Sequence, residues 1–307
     1  MTDLHARSAQ ARSSADTAPV VLVGAPSPLR SAVAAQLRAA ATPLACLDSP
    51  GRLTRALTAP PAAGAAGTAG FGAAGFRGAV VVLATVPRPP GLASGLLRHG
   101  RTAALAAGFE RAVLAARTAG ASRVVVLSTA FRYDDDGGLP IEAGRPDLTA
   151  AETAHAAAAE EAALLFSRLG GESVVLRLGW ACGEQEAITR RVLSAARRGW
   201  RLIDADPGSW VSLVAEADAA RAVRPSLTVP PGTYPLTDGC PVTVGELNAR
   251  LEEATRQRLH SLDDPRWGGQ GALFGRSRQI TDTAFALLTG WQPGPTAAAD
   301  QLAAMLR

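Results

Sequence analysis

The sequence contains no lysine: all 31 of its basic residues are arginine. Any site chemistry that calls on a lysine side chain is excluded. Cysteine is scarce as well. Cys46, Cys182 and Cys240 are far apart and odd in number, with neither metal-ligand spacing nor the pattern of a disulfide framework. Only two tyrosines occur, Tyr133 and Tyr234. No apolar stretch approaches the roughly 20 residues that a bilayer-spanning helix needs. The opening MTDLHARSAQARSSADTAP is polar and lacks the apolar segment of a secretory signal, so residues 1–17 read as a mobile tail and the protein is expected in the cytoplasm.

What is present is the material of a large core. Hydrophobic residues make up 47% of the 307 and charged residues only 19%, a globular rather than a disordered balance. The net charge of +4 raises the question of a nucleic-acid partner. The arginines are scattered rather than striped along one face, and no aromatic stacking motif accompanies them, so no such partner is expected. A mildly basic surface also suits a polyanionic cofactor.

Strand and helix patterns alternate. Val20–Val23, Leu44–Leu47, Ala79–Ala84, Arg123–Leu127 and Ser173–Leu176 read as strands, and the continuous apolar runs among them belong to a parallel sheet buried on both faces. Ser31–Ala40, Thr102–Thr118 and the alanine-rich Leu148–Leu169 read as helices. Ala59–Gly75 is a low-complexity loop. This order predicts an α/β fold, a Rossmann-type doubly wound parallel sheet over residues 18–178. After Gly179 the pattern changes to helices at Arg190–Arg198 and Val244–Arg256 between Pro- and Gly-rich turns. No further buried strand is expected there, and residues 179–307 are read mainly as a smaller, substrate-binding C-terminal lobe.

The segment VVLVGAPSPLR carries the first candidate site. A strand, a glycine and a helix start are how a dinucleotide-binding fold opens, with phosphate held at the helix N-terminus. Gly24 takes the place of the first glycine, while Ser27 and Arg30 stand where the second and third are usual. Ser27 can donate to a phosphate oxygen and Arg30 can form a charge-assisted pair with one; the alternative is that Arg30 points to solvent. Gly24, Pro26, Ser27, Leu29 and Arg30 are the residues expected around the pyrophosphate. Asp48, at the end of the second strand, suits the ribose hydroxyls of NAD, whereas Arg52 and Arg30 suit the 2′-phosphate of NADP. The cofactor expected is NADP(H), with some tolerance of NAD(H), although DSPGR also reads as a plain turn.

Six segments in order resemble the extended short-chain dehydrogenase/reductases related to sugar-nucleotide epimerases and dehydratases: VVLVGAPSPLR, LSTAFRY, VVLRLGWACG, WVSLVAEADAARAV, GTYPLTDGCPVTVGEL and RSRQITDTAFALLTGWQP. The resemblance runs from about residue 19 to 300. It implies that Ala84 and Thr85 end a strand facing the cofactor and that Leu178 and Trp180 lie beside the nicotinamide, Trp180 reading equally as core. In that family a Tyr and a Lys four residues later perform the acid–base work. A chain without lysine lacks the pair. Aligning the family's following Glu with Glu160 or Glu161 puts the two positions at Glu152 and Ala156, or at Thr153 and Ala157.

The remaining catalytic candidates are Ser128, Thr129, Tyr133 and His155. Thr129 aligns best with the family's substrate-binding hydroxyl, and Ser128 either shares that role or caps the strand. Tyr133 reads as a pocket wall or an acid, and His155 as a general acid or a packed residue. Within the resemblance, the chain is similar to the ketoreductases of antibiotic pathways that lack the Tyr–Lys pair, which implies an aromatic polyketide substrate of angucyclinone type. A non-catalytic NAD(P)-binding sensor or scaffold is the second reading. A sugar-nucleotide epimerase or dehydratase is the third, and the arginine motif that grips a diphosphate is not recognisable in DDPRWGGQGALFGRSRQ.

Overall fold

The computed structural model describes residues 18–58, 76–84, 95–135, 139–141, 153–261, 274–281 and 283–307. The tail read over 1–17, the loop over 59–75, the start of the helix read from Leu148, Glu152 and Thr85 fall outside them. The first part of the chain forms β1 (Val20–Val23), α1 (Pro28–Ala39), β2 (Leu44–Leu47), α2 (Pro50–Thr58), β3 (Val80–Ala84), α3 (Gly95–Thr118), β4 (Arg123–Thr129), β5 (Pro140–Ile141), α4 (Ala154–Arg168) and β6 (Glu172–Leu178). It continues with β7 (Trp180–Cys182), α5 (Ala187–Arg197), β8 (Trp200–Arg201), β9 (Trp210–Val211), β10 (Leu213–Ala215), α6 (Glu216–Ser226) and β11 (Gly232–Leu236). Then come β12 (Val242–Thr243), α7 (Val244–Thr255), β13 (His260–Ser261), β14 (Gln279–Ile280), α8 (Ala284–Thr289) and α9 (Ala298–Ala304).

The central sheet has six strands in the order β2-β1-β3-β4-β6-β11, and every pairing in it is parallel. Its inner strands are buried along their whole lengths in β1, β3 and β4. Alternate residues serve opposite faces. Val20, Leu22, Val80, Val82, Val125 and Leu127 pack with Leu29, Val33 and Leu37 of α1 and with Ala220 and Val223 of α6. Val21, Val23, Val81, Leu83, Val124 and Val126 pack with Leu53 of α2, Val113 of α3 and Ala159 and Phe166 of α4. Each such Val or Leu contributes about 1.5–3 kcal/mol by leaving water. Helices on both faces of a parallel sheet make this the doubly wound, Rossmann-type architecture that the sequence predicts.

One expectation is corrected. A buried strand does follow Gly179: β11 joins the central sheet beside β6, with Tyr234 opposite Leu176. Gly232 and Pro235 disguise it in the sequence. Pro235 is tolerated because β11 is an edge strand, where a missing N–H interrupts no ladder.

Between these sheet elements the C-terminal part builds its own core from Trp180, Leu193, Val211, Leu213, Val244, Leu247, Leu251 and Leu302. Its helix α7 starts with a capping box: the Thr243 hydroxyl accepts from the Glu246 N–H, and the Glu246 carboxylate accepts from the Thr243 N–H. Among the described residues, no helix is long and apolar enough to cross a membrane.

Candidate functional site

The strand order reverses between β1 and β3, and the crevice outside the carboxyl ends of these strands is where open α/β sheets hold ligands. Gly24 closes β1 there. A Cβ on it would stand 2.4 Å from the carbonyl oxygen of Ala84 at the end of β3, so no larger residue fits. The turn then runs through Pro26 to Ser27, the N-cap of α1. The Ser27 Oγ accepts from the Arg30 N–H at 3.2 Å, and Pro28 follows at the first helical position. Ser27 thus has a local structural task, and its hydroxyl proton is left to donate elsewhere. Leu29 is packed into the core beneath the helix.

Arg30 does not point to solvent. Its Nη2 lies 3.1 Å from Asp48 Oδ1 at the end of β2, and its side chain is only 12% exposed. Arg52, from the first turn of α2, approaches the other oxygen of Asp48 at 3.7 Å. Two guanidiniums therefore face one half-exposed carboxylate, and the Arg30 Nε is buried with no hydrogen-bond partner among the described residues. The structure thus brings Arg30, Asp48 and Arg52 together at one strand end.

A second group gathers at the ends of β4 and β6. Glu160, on α4, accepts from Arg177 of β6 through Nε at 3.2 Å and Nη2 at 2.7 Å, and forms an ion pair with Arg132, whose Nε lies 3.2 Å away. The Ser128 hydroxyl donates to the same carboxylate. All three charged side chains are 10% exposed or less. Ser128 is thereby committed within the protein. Thr129 is also buried, and its Oγ1 accepts from the Phe131 N–H at 3.2 Å, capping a short 3-10 turn over Ala130–Arg132. Tyr133 is enclosed completely, with the Arg177 guanidinium 4.8 Å from its ring centre.

His155 stands at the start of α4. Burial pushes its imidazole down from 6.5 to about 4, so it is neutral at physiological pH, and its Nε2 has no hydrogen-bond partner among the described residues. Leu178 is buried in the core shared with α1 and α6. Trp180 meets the ring of Phe274 edge-on at 5.0 Å, and Phe131 meets Phe274 at 5.3 Å. These three rings, with Trp210, wall a cavity of about 10 Å³ among the described residues. Arg278 also lines this cavity, with its guanidinium 5.5 Å from the centre of the Phe131 ring. It donates from Nε to the Tyr133 carbonyl at 2.8 Å and from Nη2 to the Phe131 carbonyl at 3.3 Å. Burial, with Arg276 beside it, lowers its guanidinium to about 10.

Sequence reasoning missed the roles of Glu160, Arg132, Arg177, Phe274 and Arg278. A signal was present for one of them: Arg177 interrupts the buried strand VVLRL, and a charge at such a place requires a counter-charge. Nothing in the sequence indicates that Phe274 reaches Trp180.

No protein-family model matches the chain. No curated protein matches it in sequence. Solved structures do match its fold. It is similar to MoeE5 in complex with UDP-glucose and NAD, at TM-score 0.69 and 19% identity over 94% of this chain and 97% of that one. It is similar to the human epimerase family protein SDR39U1 (isoform 2) with NADPH, at TM-score 0.73 and 13% identity over 94% and 99%. It is similar to the UDP-glucose 4-epimerase of Thermus thermophilus in complex with NAD, at TM-score 0.66 and 18% identity over 94% and 99%. At these identities the likeness establishes a shared fold.

Proposed function

We propose that the chain is an NAD(P)H-dependent ketoreductase acting on a carbonyl of an aromatic polyketide, with residues 179–307 supplying most of the substrate-binding lobe. The observation that carries this reading is the aromatic wall of Phe131, Trp180, Trp210 and Phe274 at the ends of β4 and β6. Apolar rings at this place suit an aromatic neighbour better than a sugar. The absence of lysine argues in the same direction, because an epimerase of the family resembled depends on its Tyr–Lys pair.

The residues at the β1 turn suit a dinucleotide. The backbone at Gly24 leaves no room for a side chain, the Ser27 hydroxyl has a proton to donate, and α1 offers its N-terminus. Arg30 and Arg52 outweigh Asp48 in charge, which supports the 2′-phosphate of NADP, while Asp48 keeps NAD admissible. The neighbours MoeE5 and SDR39U1 were solved with NAD and NADPH respectively, which supports the same class of cofactor here. When bound, a reduced nicotinamide supplies hydride chemistry.

The chain's own residues then have distinct tasks. In either register of the alignment the position of the family's Lys falls on a buried alanine, Ala156 or Ala157, which carries no proton. Ser128 is occupied by Glu160, which leaves Thr129 as the hydroxyl that orients the ketone. Tyr133 is enclosed, and His155 is a neutral imidazole. No strong acid remains among these side chains, so the proton comes from a phenol of the substrate adjacent to its ketone. Alignment of donor and acceptor supplies much of the rate, on the order of 7–11 kcal/mol in favourable cases.

The test is NADPH consumption with a panel of phenolic ketones and quinones, the product identified by mass spectrometry. Methylating the phenol next to the ketone is expected to abolish turnover while leaving binding measurable. The small cavity favours a second reading, a non-catalytic NAD(P)-binding sensor or scaffold, because about 10 Å³ holds one water. Cofactor binding with no consumption across the whole panel would establish that alternative.

A further inference from the structure

A groove of about 430 Å³ lies in the C-terminal layer and shares no lining residue with the aromatic cavity. One wall is a stripe of α7, Gly245, Asn248 and Glu252, spaced so that they share a face. The other is the end of β8 and the segment after it, with Arg201, Asp204 and Pro207. Gly245 holds the walls together: its N–H donates to the Pro207 carbonyl at 2.9 Å, and a Cβ there would come within 3.1 Å of that oxygen.

The hydrogen-bond account of this groove does not close. Arg201 and Asp204 satisfy one another at 3.1 Å, and the Ser261 hydroxyl donates to the second oxygen of Asp204. Glu252 accepts from the Leu259 N–H through Oε1 at 2.9 Å, which leaves Oε2. Asn248 is 7% exposed, and its Nδ2 donates to the Ile203 carbonyl at 3.1 Å. That bond fixes the amide's orientation, since the flipped form would oppose two oxygens. Its Oδ1 is shielded from solvent and accepts nothing from the described residues. A buried neutral acceptor without a donor and a carboxylate oxygen open to solvent thus stand one helical turn apart.

We propose that the groove binds a primary ammonium carried on a compact hydroxylated scaffold, the ammonium bridging Asn248 Oδ1 and Glu252 Oε2. An ammonium offers three donors in diverging directions, which suits two separate acceptors better than the planar fork of a guanidinium. Its charge offsets that of Glu252, since Arg201 is already matched by Asp204. The Arg201–Asp204 pair on the opposite wall offers both donors and acceptors to hydroxyl groups. The chain has no lysine with which to fill the seat itself. A groove of this size lies within the range of about 300–1,000 Å³ usual for small-molecule sites.

Calorimetric titration of the full chain with glucosamine, against glucose and N-acetylglucosamine, tests the assignment without any dinucleotide. Saturable binding of glucosamine alone is expected, weakened about tenfold or more by Glu252→Gln and by Asn248→Leu. Glu252→Gln keeps an oxygen for the Leu259 N–H, so it remains decisive should Asn248→Leu fail to fold. No saturation by glucosamine up to about 10 mM at low salt would overturn the proposal, leaving a groove that holds only water. Equal binding of glucose, or undiminished binding by Glu252→Gln, would overturn it as well.

Discussion

Glu160→Gln removes the one carboxylate that Arg132, Arg177 and Ser128 share. The substitution keeps the side chain's shape but puts an amide NH₂ in place of an oxygen that faces a guanidinium. Two cations, each 7% exposed, then lose the carboxylate they share. Breaking a buried pair from one side costs about 3–5 kcal/mol, and two arginines on one carboxylate put the expectation at the upper end. At about 2.1 cal/mol/K per residue over 307 residues, that loss lowers Tm by about 5–8 °C. Differential scanning calorimetry reads it directly. The exposed neighbour provides the control, since Glu161→Gln is expected to stay within about 1 °C of the parent. Replacing all three charges, Glu160→Met with Arg132→Leu and Arg177→Met, should recover most of the loss. A Glu160→Gln protein that melts within about 1 °C of the parent would refute the reasoning and mean that water reaches the cluster.

Other outcomes follow from single groups. Gly24→Ala forces a Cβ against a backbone oxygen of β3, so it should lose about 1–3 kcal/mol in urea unfolding and weaken NADPH in a fluorescence titration; wild-type values in both would contradict the close approach. Arg30→Ala is expected to weaken NADPH more than NADH, whereas equal losses would put the guanidinium on the pyrophosphate. The His155 imidazole titrates at about 4 when folded and 6.5 when exposed, so the unfolded chain binds the extra proton between those values. Stability should fall as pH drops from 6.5 toward 4, and His155→Gln should flatten that part of the profile. An unchanged slope would show that the imidazole is solvated.

The strands were legible where physics leaves little choice. VVLV, LACL and AVVVLA are apolar runs bounded by turns, and β1 and β2 fall on the residues expected. GTYPL was not legible, because an edge strand tolerates the Gly and Pro that elsewhere break a sheet. Part of the site was readable too: Gly24 stands out because the turn needs it, and Asp48 because it ends a strand. The Glu160 cluster was not, since its members sit on different elements and meet only once β4, β6 and α4 are packed. Arg177 alone gave notice, as a charge inside an apolar run. The aromatic wall escaped for a similar reason: Phe131, Trp180 and Phe274 belong to three distant segments, and no local periodicity links them.

Arg278 ties those distant segments mechanically. Its backbone is fastened to the C-terminal layer, the N–H to the Trp210 carbonyl at 2.8 Å and the carbonyl to the Ser212 hydroxyl at 3.0 Å. Its guanidinium grips the carbonyls of Phe131 and Tyr133, the turn that Thr129 caps. The side chain therefore acts as a crossbar between two bodies. Residues 274–281 are thereby joined to both carbonyls of that turn at once. The Thr129 turn, at the carboxyl end of an inner strand, is thus held from the C-terminal part of the chain as well as by its own cap.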